Sequence, residues 1–167
     1  MNNMEHVNHP AHYQRKDGIE CIDIIRHYTC DIANAIKYLW RAGLKPEMGM
    51  EDAEKEIEDL KKALWYIEDF ISLDQEGLIG RNAVIRDCEH LEKIPLYDLV
   101  LQTTGYSAEQ ITEGYPENIQ SAMRGLLQVG IIKSGAVVGS GHMCFLCSEA
   151  IESIQQRIAD IKININK

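Results

Sequence analysis

The chain has 167 residues, 45% of them hydrophobic, enough for one domain or a compact domain with a small appendage. No run of about 18 apolar residues occurs, so no transmembrane helix is expected. The polar start MNNMEHVNHPAHY does not fit a signal peptide. A net charge of −9 argues against broad nucleic-acid or anionic-membrane binding, but not against a local basic pocket. The reading is cytoplasmic, with five cysteines reduced unless they hold a metal.

Residues 1–18 read as an extended arm or loop. Pro10 keeps His9 out of the helical region, and Asp17-Gly18 is a turn signal. The arm carries His9, His12 and Tyr13, and imidazole can serve near neutral pH as acid, base or ligand. On residue types alone, an ordered arm with incidental histidines is the preferred reading.

Gly18 to Tyr28 reads as a short amphipathic helix with Ile19, Ile22 and Ile25 on its buried stripe. Asp31 is a candidate cap for the next helix, which runs through NAIKYLWRAG and ends at Gly43. Counting 100° per residue puts Ala35, Ile36, Leu39, Trp40 and Ala42 on one apolar arc. Asn34, Lys37, Tyr38 and Arg41 then share the opposite face. A row of donors without an acid suits an anion such as phosphate, because Arg offers a fork and Lys a point charge.

The third helix is expected from about Glu51 to Ile71. Ala53, Ile57, Leu60, Leu64, Ile67 and Ile71 form an a/d seam, suited to packing on the central helix or on another subunit. Another face carries Asp52, Lys55, Asp59, Lys62 and Tyr66. Asp52 and Asp59 have the residue type for Mg²⁺, and the same face suits solvated Asp/Glu–Lys pairs. Gly77 and Gly80 do not make a phosphate loop, and neither a Walker sequence nor GxGxxG is present.

The second half reads as helices over 96–102, from Ser107 (a capping box with Gln110), and from Pro116 to about Gln128. Ile131 to Leu146 reads as a β-hairpin, and a last helix spans Ser148 to about Ile161. The outline suggests a winged helix, but its recognition-helix candidate has one Arg and no Lys, which argues against DNA. Cys88, His90, His142, Cys144 and Cys147 have spacing for a structural Zn²⁺ site, or are buried thiols and ordinary histidines. The expected fold is mainly α: a small helical domain over 1–75, then a helical region over 76–167 with one hairpin.

VNHPAHY, GIECIDII, NAIKYLWRAG and EDLKKALWYI, in this order, resemble a small phage-borne domain family of nucleotide kinases. The family includes the Walker-less deoxynucleoside-monophosphate kinase of short-tailed coliphages. The resemblance covers about residues 6–71, with a longer gap before EDL than the family has. It implies Mg²⁺-dependent phosphoryl transfer from a nucleoside triphosphate to a monophosphate, in a host cytoplasm. By motif, it places His9, His12 and Tyr13 in the site, with Asn34, Lys37, Tyr38, Arg41 and Lys45. Asp59, Lys62, Trp65 and Tyr66 complete it. Lys37, Arg41 and His12 would be catalytic. Phosphoryl transfer needs positioning and charge neutralisation above all. Two rivals stand beside this reading: a non-catalytic nucleotide-binding or host-interaction protein, and a helical pyrophosphatase using Glu51, Asp52, Glu54, Glu58 and Asp59. The helix-three seam makes a homo-oligomer an expectation.

Overall fold

The computed structural model describes residues 10–75, 96–133 and 140–166. Among these, every regular element is helical, as expected for a mainly α chain. A 3-10 turn, Ala11–Tyr13, precedes α1 (Cys21–Ile25), α2 (Cys30–Arg41) and α3 (Asp52–Gln75). Then come α4 (Leu96–Thr104), α5 (Ala108–Thr112), α6 (Glu117–Lys133) and α7 (Ser140–Ile165). The four long helices close a ring, with α2 on α3, α3 on α7, α7 on α6 and α6 on α2.

Apolar spacing produces this ring. Ile32, Ala35, Ile36, Leu39 and Trp40 of α2 are all fully buried, the arc that a 3.6-residue period requires. On α3, Leu60, Ala63, Ile67 and Phe70 are buried, while Ala53, Ile57, Leu64 and Ile71 pack at the edge of the core. The a/d seam is therefore used within the chain, against α2 and α7. Met123, Leu126 and Leu127 of α6 and Ala150 and Ile154 of α7 join the same core, so residues on both sides of 75/76 share one interior.

Local signals explain several boundaries. Gly43 follows α2 with φ +74°, a left-handed conformation that glycine adopts without a Cβ clash. Ser107 and Gln110 form the reciprocal capping box at the start of α5. Asp31 is not the cap of α2; it lies in the first turn, behind Thr29 at the cap position. The helix expected over Gly18 to Tyr28 is confined to α1, and a turn with Gly18 at φ +84° precedes it.

The expected β-hairpin is corrected at both its ends, while residues 134–139 lie outside the described residues. Residues 131–133 close α6 and 140–146 open α7. Val129 and Ile131 continue the buried stripe of α6, and Met143 and Leu146 begin that of α7. Packing on the neighbouring helix thus overrides the β-propensity of the branched residues, a preference of at most about 1 kcal/mol. α6 crosses α2 and the turn before it so closely that a Cβ on Gly130 would fall 2.1 Å from Tyr28 Cδ1 in that turn and 3.3 Å from Ile32 Cγ2 of α2. The Tyr28 hydroxyl donates to the carbonyl of Leu127 at 3.2 Å across the same crossing. No described helix is long and apolar enough to cross a membrane.

Candidate functional site

The polar faces of α2 and α3 meet in a charge cluster. Arg41, the last residue of α2, is 8% exposed, and Asp59 opposite it is fully buried. Arg41 Nη2 donates to Asp59 Oδ1 at 2.7 Å, and its Nη1 donates to the Tyr13 hydroxyl at 3.3 Å. Lys55, one turn before Asp59, is buried too. Its ammonium lies 2.6 Å from Glu47, 3.0 Å from Glu58 and 3.5 Å from Asp59. Burial alone would lower the Lys55 pKa; hydrogen bonds to Glu47 and Glu58 outweigh it and raise the value.

Arg41 was expected to face an open anion site. Instead its Nη2 is paired with Asp59. Asp59 in turn is shared by two cations through Oδ1, and its burial takes it off the solvated face. Asp52 is exposed in the first turn of α3. Seven helical residues separate the two aspartates by about 10 Å, too far for one ion. Among the described residues, no group of three or more His, Cys, Asp or Glu side chains is placed to hold a metal. The pyrophosphatase set does not converge either: Glu51, Asp52 and Glu54 are exposed, and Glu58 and Asp59 are paired with cations.

Beside this buried pair is a more accessible layer. Tyr38 is surrounded by cations: the Arg41 guanidinium lies 4.4 Å from its ring centre, Lys37 Nζ 4.9 Å and Lys62 Nζ 5.7 Å. The ring stacks on Tyr66 at 5.8 Å and 18°, and Trp65 meets Tyr66 edge-on at 4.9 Å. Trp65 is 57% exposed. Lys37 is hydrogen-bonded to Asn34 and Lys62 to Glu58, both within one helical turn. The Lys62 bond, followed by that from Lys55, holds the Glu58 carboxyl down at about 2. These local acceptors leave both ammonium groups half-exposed at the rim.

His12 stands at the other edge, its ring 4.3 Å from that of Tyr13. Burial lowers its pKa, and the charges of Lys45 and Arg41 lower it further, so the neutral imidazole is favoured. Lys45 follows the end of α2, its backbone N–H donating to the Arg41 carbonyl at 3.2 Å. The structure thus gathers His12, Tyr13, Lys37, Tyr38, Arg41, Lys45, Asp59, Lys62 and Tyr66, with Asn34 bonded to Lys37. Glu47 and the buried role of Lys55 were missed in the sequence. The spacing of Lys55 to Glu58 and Asp59, three and four residues, was a usable signal. His9, Cys88 and His90 lie outside the described residues, as does the side chain of His142. On α7, Cys144 is exposed and Cys147 buried.

Residues 7–68 match the family described as "Protein of unknown function (DUF3310)". No curated protein matches the chain. No solved structure matches it. The assignment to a nucleotide-kinase family is therefore corrected: the matching family has no function attached, and kinase roles are not carried over from it. The match covers α1, α2 and most of α3, the elements that build the charge cluster.

Proposed function

We propose that the Tyr38 face of α2 and α3 binds a small phosphorylated aromatic ligand of the nucleoside-monophosphate class. The observation that carries this is the convergence of Lys37, Arg41 and Lys62 on one tyrosine ring that stacks on a second tyrosine. Lysines at the rim supply point charges for a phosphate, and Tyr66 and the exposed Trp65 offer π-faces for a base. The local balance differs from that of the whole chain. Lys37, Arg41, Lys45, Lys55 and Lys62 outnumber Glu47, Glu58 and Asp59, in a protein of net charge −9.

The roles differ from those expected from the sequence. Arg41 is a positioning residue, while Lys37 and Lys62 meet the phosphate. Lys45 and neutral His12 border the same surface. Any Mg²⁺ would arrive with a polyphosphate ligand and not on a carboxylate pair of this chain. Cytoplasmic localisation stays part of this proposal.

The test is calorimetric titration of the four common nucleoside monophosphates, with chromatography of mixtures containing ATP and Mg²⁺. Binding of one monophosphate, weakened by salt, is the expected result. No binding by any of them would overturn the reading. Formation of a diphosphate would extend it from binding to phosphoryl transfer.

A further inference from the structure

A concavity of about 770 Å³ lies between residues 14–17, the end of α2 and the α5–α6 turn. It shares no lining residue with the Tyr38 face. Its volume falls within the range of small-molecule pockets, about 300–1,000 Å³. Ala42, Leu44, Tyr115, Pro116 and Ile119 give it an apolar wall. Tyr115 is fixed there by its hydroxyl, which donates to the carbonyl of Trp40 at 3.0 Å.

The charges of this cleft fall into two sets. Arg15 bonds Asp17, and Arg157 bonds Glu56, each at 2.7 Å. Arg15 also donates to the Ile111 carbonyl and lies 5.8 and 5.9 Å from the rings of Trp40 and Tyr115. These four side chains are wall structure. The remaining charges, Lys16 and Glu113, are exposed, and neither has an ion-pair partner among the described residues. They are of opposite sign on one cleft. A purely anionic ligand would meet Glu113 as a like charge, and a purely cationic one would meet Lys16. A molecule carrying both signs next to an apolar group meets no such conflict.

We infer that this cleft binds a free amino acid with an apolar side chain, its carboxylate facing Lys16 and its ammonium facing Glu113. The side chain lies on Leu44 and Tyr115. This site is independent of the monophosphate reading.

The experiment is calorimetry on the full chain with L-leucine and L-phenylalanine, followed by N-acetyl-L-phenylalanine and L-phenylalaninamide. The two derivatives keep the aromatic ring and remove one charge each. Phenylalanine is expected to bind three- to fivefold more tightly than either derivative, roughly the effect of one exposed ion pair. Lys16→Gln should abolish the preference over the amide alone, and Glu113→Gln the preference over the N-acetyl form alone. Both positions are exposed, and an unchanged Tm confirms that the variants fold. Absence of binding by both amino acids, or equal affinity for phenylalanine and its two derivatives, would overturn the proposal.

Discussion

Among the described residues, segment 10–75 buries three charged side chains, Arg41, Lys55 and Asp59, whereas the segments from 96 onward bury two hydroxyls, Thr104 and Thr112. The hydroxyls are satisfied locally: Thr104 donates to the carbonyl of Val100 and Thr112 to that of Ala108, both at 2.8 Å. Such bonds cost little to arrange. Burying charge is far more expensive, and removing one partner leaves an uncompensated ion. The C-terminal helices use polarity to finish helices. The N-terminal helices use it to hold a charged surface in place, and the family match falls on that part.

The sharpest way to break this contrast is to remove Asp59. Asp59→Ala leaves Arg41 without its carboxylate partner, and is expected to lower stability by about 3–5 kcal/mol in urea unfolding. A loss below about 1 kcal/mol would place the pair in the same class as the hydroxyls. Gly130→Ala tests the α2–α6 crossing, where a Cβ would meet the Tyr28 ring at 2.1 Å. A loss of about 1–3 kcal/mol is expected from overpacking, and an unchanged midpoint would contradict the crossing geometry.

In the C-terminal half, Thr112→Val should cost only about 1 kcal/mol, even though Thr112 is fully buried and also accepts from Arg124 Nε at 3.1 Å. A cost equal to that of Asp59→Ala would erase the comparison. The smallest effect is on acid stability. Lys62 and Lys55 hold the Glu58 carboxyl near 2, below its ordinary 4.5. Their stabilisation is full above pH 4.5 and fades as pH falls toward 2. Lys62→Ala should flatten that part of the stability–pH curve; an unaltered slope would show that Lys62 leaves Glu58 unaffected.

The legible parts of the sequence were those whose partners are local. The apolar arc of α2 and the Ser107–Gln110 box follow from spacing along a helix, and both stand in the structure. The hairpin was misread because Ile131 and Leu146 carry their meaning in the packing of α6 on α7, which no local window contains. Most of the candidate site residues converge, yet Arg41 was given the wrong neighbour. Its carboxylate lies eighteen positions away on another helix, so periodicity on α2 alone shows a donor row with no acid. The cleft at Lys16 and Glu113 was invisible for the same reason, since its walls come from five separated stretches of chain.

The central claim is that Lys37 and Lys62 meet the ligand while Arg41 holds the frame. It is tested most directly by titrating the bound monophosphate into the Lys37→Ala/Lys62→Ala double variant, with its Tm measured alongside. The account predicts binding at least about tenfold weaker and a Tm close to that of the parent chain, because both lysines are half-exposed. Undiminished affinity in a folded double variant would contradict it.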